Sequence, residues 1–386
     1  MEKSKNKVQL GIYLVAILMM GVVGIASNLG TIAAHFPELS QTGVQGLMSV
    51  PCIVIMVVTL LMGKVMDLCS KKTLTIVAIL LFLVGGIAPA FMESFTVILV
   101  LRGVFGVGVG MLQVLCTALV AENFEGAERE KVQGNLTAFQ MIGCAIMVFG
   151  GGMLGGLGWN TGFYIHLIGV VSLIAALVLI PNVQPTKAAP AEDKPAEKAS
   201  LGGKVWFWMF AGFFVFVVGQ VFSNSNAFLV AEKGLGDASA SGLGMAFFCA
   251  GGIVMGLLYG KVASIFGKFT MSFGFLVTAL AYVVIALSGS IGMFYVGCVL
   301  YGLGLSTVMP QFFLAVGSSV PPAALGLALS IATCVQNFGQ FCSPYVINPL
   351  TGIVGGMESV AAFWVAAVIA AVLAVVIGVI SAAKKN

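Results

Sequence analysis

The sequence contains very little charge. Asp, Glu, Lys and Arg together make up 8% of its 386 residues, whereas apolar residues make up 60%. Most of the chain consists of apolar runs of about 20 residues or more, the length that a helix needs to cross roughly 30 Å of hydrocarbon. A helix satisfies its own backbone polar groups along such a run. The runs therefore exclude an ordinary soluble domain and predict an all-helical membrane protein.

Residues that usually carry catalysis or bind metals are scarce or scattered. The sequence has two histidines, no pair of acidic residues inside an apolar run, and no Gly-x-x-x-x-Gly-Lys-Ser/Thr loop for nucleotide phosphates. Its eight cysteines occur singly, so we interpret them as small buried hydrophobic residues rather than metal ligands or disulfides. The sequence therefore predicts a protein that is not an enzyme, with no cofactor, no metal site and no nucleic-acid partner.

Twelve apolar spans fit the sequence. They are roughly 9–31, 44–63, 74–92, 95–120, 132–157, 161–181, 205–230, 241–262, 270–289, 291–317, 324–350 and 359–382. If the N-terminus is cytoplasmic and the spans alternate, all of the 18 Lys and Arg residues except Lys233 and Arg102 fall in cytoplasmic segments. We therefore predict a multi-pass protein of the plasma membrane, in contact with the lipid bilayer, with both termini cytoplasmic.

A polar segment divides the chain in half. Residues 183–203 are rich in Pro, Ala, Glu and Lys, a composition that cannot bury a core and is typical of a flexible tether. The sequence thus predicts an N-terminal six-helix bundle in residues 1–182, a cytoplasmic linker in residues 183–203, and a C-terminal six-helix bundle in residues 204–386.

The two halves repeat each other locally. The loop after span 2, GKVMDLCSKKT at residues 63–73, is similar to the loop after span 8, GKVASIFGKFT at residues 260–270, which starts 197 residues later (260 − 63). Gly-x-Gly at residues 106–108 in span 4 likewise has a counterpart at residues 302–304 in span 10. Weak internal symmetry of this kind is typical of transporters with a substrate site near the midplane, at the interface of two repeats.

Two motifs in the first half resemble signatures of the major facilitator superfamily. The signature between helices 2 and 3 is filled by Gly63, Asp67, Ser70, Lys71 and Lys72, with Ser70 where Gly is usual. The fourth-helix signature, an arginine followed by glycines, is similar to Arg102, Gly103, Gly106, Gly108 and Gly110. The resemblance implies twelve transmembrane helices in two pseudo-symmetric six-helix bundles, and a transporter that works by alternating access. It also implies gating roles for Gly63, Asp67, Lys71 and Lys72.

One feature departs from part of that superfamily. Its proton antiporters carry a Gly-Pro signature in helix 5, whereas span 5 here has a glycine-rich run, residues 150–156, without proline. The departure weighs against a proton-driven drug exporter.

Apart from Lys261 at the very end of span 8, Arg102 is the one charged residue within a predicted span, and such residues usually mark a functional site. One interpretation is that its guanidinium binds a carboxylate or similar anion in a bidentate pair. The other is a structural role, in which Arg102 donates hydrogen bonds to backbone carbonyls of helix 1, as the family motif implies. Both can hold. Gln113 lies eleven residues further along, about three turns, and shares the face of Arg102.

Uncharged amides form a second group of candidates. In span 7 and again in span 11, two of them are spaced i, i+4 on one helix face. These side chains either line a neutral, hydrogen-bonding cavity or hold helices together. The candidate substrate-binding residues are Arg102, Gln113, Gln140, Gln220, Asn224, Gln311, Gln336, Gln340 and Tyr345. Trp159, Tyr164 and His166, near the outer end of span 6, are expected to be interface anchors.

The sequence thus favours a secondary transporter for a small organic solute. Because Arg102 is positive, an anionic, carboxylate-like substrate is preferred; the alternative is efflux of lipophilic drugs or metabolites. The expected partners are the small-molecule substrate and either a coupling proton or an exchanged anion. A monomer is expected.

Overall fold

The computed structural model describes residues 2–182, 202–321 and 324–383. Nearly all of these residues are helical, and none of them lies in a strand. The chain divides into two compact units, Met1–Pro195 and Ala196–Asn386, called here the N-terminal and C-terminal units. Residues 183–201 of the predicted linker lie outside the described residues.

The N-terminal unit begins with one continuous helical stretch, residues 2–35, that changes from α-helix to 3-10 helix and back to α-helix. Its helices are α1 (Glu2–Ala16), a first 3-10 segment (Ile17–Asn28), α2 (Leu29–His35), α3 (Gln41–Met66), α4 (Lys71–Ile87), a 3-10 turn (Ala88–Phe91), α5 (Phe95–Asn123), α6 (Gly126–Gly155), a second 3-10 segment (Thr161–Ile168) and α7 (Gly169–Leu179). Serine side chains begin two of these helices: Ser40 accepts from the Gly43 amide and Ser70 from the Thr73 amide, both at 3.2 Å.

The C-terminal unit consists of six long helices. They are α8 (Gly203–Glu232), α9 (Ala238–Phe266), α10 (Thr270–Leu287), α11 (Ile291–Gly317), α12 (Leu325–Val354) and α13 (Glu358–Ala383). A 3-10 turn, Gly267–Phe269, joins α9 to α10. The φ angle of Gly267 is +50°, which favours glycine and lets the chain reverse direction there.

Ten stretches of the described residues are long and apolar enough to cross a membrane. One of them, Ala238–Leu287, contains both α9 and α10. The corresponding helix for predicted span 11 is α12, which is 30 residues long but carries several amides and two internal prolines that lower its hydropathy. The predicted helical membrane architecture is confirmed, and the count of twelve spans stays a prediction.

Helix ends often extend beyond the predicted spans. The sequence predicts that span 5 starts at residue 132, whereas α6 begins at Gly126, six residues earlier (132 − 126). The added residues include Glu128, Arg129, Glu130 and Lys131, all exposed. The helix therefore continues past the apolar stretch, because charged residues are readily accommodated in a helix that projects into water.

Close packing of α6 on the first 3-10 segment depends on glycine. A Cβ atom at Gly143 would overlap the carbonyl oxygen of Ile17, and one at Gly151 would overlap that of Gly24. Gly143 and Gly151 lie about two turns apart on α6 and so face the same neighbour. The absence of side chains lets the two backbones touch, the usual way in which small residues pack membrane helices.

Candidate functional site

Arg102 lies in the interior of the N-terminal unit and is 0% exposed. Its Nε donates to the carbonyl oxygen of Leu47 on α3 at 3.0 Å, and its Nη2 donates to that of Val22 in the first 3-10 segment at 3.4 Å. The guanidinium carbon lies 4.2 Å from the centroid of the Phe105 ring, one turn further along α5. Nη1 is buried and has no hydrogen-bond partner among the described residues. Arg102 thus joins three helical elements through backbone carbonyls and a ring.

His166 occupies a position beside this arginine, and the expectation that it anchors the membrane interface is wrong. Its side chain is 0% exposed. Nδ1 lies 2.8 Å from the carbonyl oxygen of Phe163, and Nε2 lies 3.3 Å from that of Gly21. The ring fits because residue 86 is glycine: a Cβ there would be 2.6 Å from the His166 Cγ. Consecutive carbonyls of the first 3-10 segment, at residues 21 and 22, are therefore contacted by His166 and Arg102.

The C-terminal unit contains a comparable set of contacts built from uncharged groups. Three consecutive carbonyl oxygens of α8 accept hydrogen bonds from three other helices: Val217 from Ser343 at 2.8 Å, Val218 from Tyr282 at 2.6 Å, and Gly219 from Tyr301. Residues 218 and 219 are the counterparts of residues 21 and 22 at the offset of 197 residues found in the sequence repeat. In each unit, the middle of the first long helical stretch is thus held by side chains of its neighbours.

Aromatic rings surround both sets of contacts. In the N-terminal unit, the centroid of the Phe105 ring lies 4.8 Å from that of Phe82 and 4.9 Å from that of His166. In the C-terminal unit, Tyr282 lies 5.1 Å from Tyr301 by the same measure. Aromatic pairs at these separations are in the favourable range. The two units therefore share a packing arrangement, but the first buries a cation and the second only hydroxyl groups.

The predicted amide pair of span 7 is brought together. Gln220 Nε2 donates to Asn224 Oδ1 at 3.3 Å, and both side chains are buried. Gln220 directly follows the three carbonyls of α8 that accept bonds from Ser343, Tyr282 and Tyr301. The surrounding hydroxyls therefore fix the backbone on which this amide pair is carried.

The remaining predicted residues occupy separate places within their own units. Gln113 is partly exposed on α5, and Gln140 Nε2 on α6 lies 3.2 Å from the Met19 Sδ. On α11, Gln311 shares a hydrogen bond with Tyr259 of α9. On α12, Gln336 and Gln340 are partly exposed and Tyr345 is exposed.

The predicted gating residues lie at one end of the N-terminal unit. Lys71, at the start of α4, forms an ion pair with Glu122 near the end of α5, and Lys72 donates to the carbonyl oxygen of Leu177 at 2.6 Å. Asp67 ends α3. A Cβ at Gly63 would meet nothing within 4 Å. The two lysines therefore connect α4 with α5 and α7.

Arg102 is the only Asp, Glu, Lys or Arg side chain that is buried among the described residues. Within residues 2–182, 202–321 and 324–383, no group of three or more His, Cys, Asp and Glu side chains could hold a metal ion. The helices of both units present amides, hydroxyl groups and aromatic rings instead.

Sequence comparison finds relatives that are named as multidrug proteins. The chain is 25% identical to the multidrug transporter protein MdtP of Bacillus subtilis over 114 residues, which is 29% of this chain and 21% of that protein. It is 28% identical to the multidrug resistance protein MdtL of Escherichia coli over 143 residues, which is 36% of this chain and 35% of that protein. The matches therefore span well under half of these relatives.

Solved structures share the fold over nearly the whole chain. The nucleoside transporter NupG superposes with a TM-score of 0.82 and 12% identity, covering 96% of this chain and 99% of that one. The peptide transporter POT in complex with sulfate gives a TM-score of 0.76 and 13% identity, covering 98% and 94%. A sequence profile of the Major Facilitator Superfamily matches residues 10–344 and again residues 226–385. The chain therefore belongs to the major facilitator superfamily.

Proposed function

We propose that the protein moves an uncharged organic solute across the plasma membrane by alternating access, with efflux of lipophilic drugs or metabolites as its role. The preference for an anion rested on Arg102. That side chain is 0% exposed, two of its nitrogen atoms donate to helix carbonyls, and its plane lies against Phe105. An arginine held in this way stabilises the unit, and because it is fully buried its guanidinium is not open to a solute. This geometry is the observation that carries the proposal.

The other candidate residues support the same substrate class. They are amides and a tyrosine, which donate and accept hydrogen bonds without a net charge. Binding a cation or an anion in such surroundings would leave its charge without a counter-ion, which is costly away from water. The relatives named as multidrug proteins are similar over short stretches only, so they are consistent with this substrate class without establishing it.

Coupling is a separate part of the proposal. No acidic side chain lies in the interior of a described span, so a proton would have to bind near a span end. Glu232, at the end of α8, accepts a hydrogen bond from Ser359 at the start of α13. We propose Glu232 as the site of a coupling proton, and exchange against an internal solute as the alternative. The protein acts as a monomer in this proposal.

The test is a thermal-shift screen of the purified protein with matched pairs of ligands. Each pair consists of a carboxylate and its primary amide, such as benzoate and benzamide or indole-3-acetate and indole-3-acetamide. A ligand that binds the folded state raises its stability. We expect stabilisation by one or more amides and none by the paired carboxylates. Stabilisation by carboxylates alone, lost in Arg102→Gln, would restore the anionic substrate.

A further inference from the structure

Helix α6 exposes two opposite faces of different character. Gln133, Thr137 and Gln140 are spaced i, i+4 and i+7, so they lie on one face of the helix. Gln133 and Gln140 are partly exposed and Thr137 is exposed. These three residues are called the polar stripe below.

The opposite face of α6 is apolar. Ile142, Ile146, Phe149 and Met153 are 48%, 38%, 45% and 55% exposed, and helical geometry places them about half a turn around the helix from the polar stripe. Between the two exposed faces, Gly143 and Met147 are directed toward the first 3-10 segment or buried in the core. The exposed arc of α6 therefore runs from the polar stripe past Met141, which is 41% exposed, to this apolar face, and its two edges meet different surroundings. The apolar face suits lipid, and the polar face does not.

The polar stripe lies inside the candidate membrane span Glu128–Gly155. At 1.5 Å per residue, Gln133 lies about 7 Å and Gln140 about 18 Å along the helix from Glu128. An amide facing hydrocarbon at that depth without a partner is strongly unfavourable. The stripe therefore requires polar surroundings that begin near the cytoplasmic end of α6, in the predicted orientation, and continue toward the middle of the span.

The stripe has little hydrogen bonding within the chain. Thr137 Oγ1 donates to the Gln133 backbone carbonyl at 3.3 Å, and Gln140 Nε2 donates to the Met19 thioether, a weak acceptor. The side-chain amide of Gln133 and the Oε1 atom of Gln140 have no hydrogen-bond partner among the described residues. Donors and acceptors of both kinds are thus available along one exposed line, with the adaptable Met19 side chain beside its deep end.

We infer that the polar stripe of α6 is a water-accessible surface that the solute contacts, and that it takes the carbonyl, hydroxyl or amide groups of an uncharged molecule. The inference rests on the proposed function for the choice of solute. The sequence indicated only Gln140 of this stripe. Gln133 and Thr137 extend the surface toward the cytoplasmic end, so the solute meets amides and a hydroxyl group along its approach as well as at the middle of the span.

Accessibility is tested with single-cysteine variants in a background without other cysteines, reconstituted in liposomes. The probe is methanethiosulfonate ethylammonium, a small charged reagent that reacts with thiolates in water. Gln133→Cys, Thr137→Cys and Gln140→Cys should react faster than Ile142→Cys and Ile146→Cys, on the order of tenfold or more, because a thiol in hydrocarbon stays protonated and shielded. Equal rates on both faces, or faster reaction of the apolar face, would overturn the inference.

Contact with the solute is tested in the wild-type background, where loss of the cysteines cannot interfere. The ligand is the amide that stabilises the wild-type protein most in the thermal-shift screen. Gln140→Leu should raise its apparent KM about fivefold, as expected for one lost hydrogen bond, whereas the control Ile146→Leu should leave KM unchanged. An unchanged KM in Gln140→Leu would overturn the contact. If no amide stabilises the wild-type protein, the proposed function fails, while the labelling rates still decide whether the stripe faces water.

Discussion

Arg102 on α5 donates from Nε to the carbonyl oxygen of Leu47 on α3 at 3.0 Å. This bond is made to a backbone carbonyl and not to an acid, so the positive charge is stabilised by helix dipoles and a ring rather than by an ion pair. It explains how a single arginine can be 0% exposed in a unit whose described interior offers it no carboxylate. It supports the structural interpretation of Arg102, on which the proposal of an uncharged solute rests.

The first prediction concerns the structural role of this arginine. Arg102→Gln should lower the free energy of unfolding by on the order of 2 kcal/mol, because it removes charge-assisted bonds to the carbonyls of Leu47 and Val22. Arg102→Lys should also lose stability, since an ammonium group cannot donate along two fixed directions in the way a guanidinium does. Thermal unfolding in detergent measures both. Unchanged melting temperatures in both variants would contradict the structural role.

Much of the fold could be predicted from the sequence because the apolar runs and the distribution of Lys and Arg are strong signals. The lone charge at Arg102 also stood out at once. Its bonding partners could not be predicted, because every residue has a carbonyl oxygen and only the packing selects Leu47 and Val22. The burial of His166 was missed for a related reason: with Trp159 and Tyr164 nearby, its surroundings in sequence are those of an interface anchor.

The polar stripe of α6 could be predicted from the sequence only in part. The spacing of Gln133, Thr137 and Gln140 is visible in the sequence, but only Gln140 lies near the middle of the predicted span. The exposure of the apolar residues on the opposite face is known only from the structure. Exposure of two faces of one helix is a property of the packed unit and cannot be read from periodicity alone.

A second prediction concerns the tyrosines bound to α8. Tyr301→Phe and Tyr282→Phe each keep the ring but remove a hydroxyl that donates to Gly219 or Val218, so each should cost roughly 0.6–1.5 kcal/mol of stability. Tyr295→Phe, on the same helix as Tyr301, is the matched control, since no hydrogen bond of its hydroxyl is found among the described residues. Chemical or thermal unfolding measures the loss of stability in each of the three variants. A loss in the control as large as in Tyr301→Phe would contradict the account.

A third prediction concerns the contact between α6 and the first 3-10 segment. Gly143→Ala and Gly151→Ala place a methyl group against the carbonyl oxygens of Ile17 and Gly24, so each should destabilise the protein by about 1–3 kcal/mol. Gly134→Ala is the control on the same helix, because a Cβ there meets nothing within 4 Å. Its better helix propensity should leave stability equal or higher, by up to about 1 kcal/mol. Equal losses at all three positions would rule out specific packing.

A fourth prediction concerns orientation. Cys69, exposed in the loop between α3 and α4, should be cytoplasmic, whereas Gly289, between α10 and α11, should be extracellular. In cells that express single-cysteine variants, an impermeant maleimide should label Gly289→Cys from outside and should reach Cys69 only after permeabilisation. The substitution at residue 289 is tolerable because a Cβ there meets nothing within 4 Å. Labelling of Cys69 in intact cells would reverse the orientation.

A fifth prediction concerns the coupling proton. Glu232→Gln keeps the shape of the side chain and its contact with Ser359 but cannot be protonated and deprotonated. It should abolish the acceleration of flux by a pH gradient in proteoliposomes while leaving exchange at equal pH intact. Glu93→Gln, exposed just before α5 in the other unit, is the control and should keep the response to the gradient. A normal response in Glu232→Gln would place the coupling proton elsewhere, whereas the absence of any response in the wild-type protein would leave exchange as the mode of coupling.

The central claim is that Arg102 stabilises the N-terminal unit and does not bind the solute. The measurement that tests it most directly is the equilibrium affinity of folded, monodisperse Arg102→Gln for the ligand that most stabilises the wild-type protein, with the paired carboxylate measured alongside. The account predicts a lower melting temperature. It also predicts an affinity within about twofold of wild type, because the folded variant keeps every side chain that contacts the solute. A well-folded variant that has lost its affinity for an anionic ligand would contradict it.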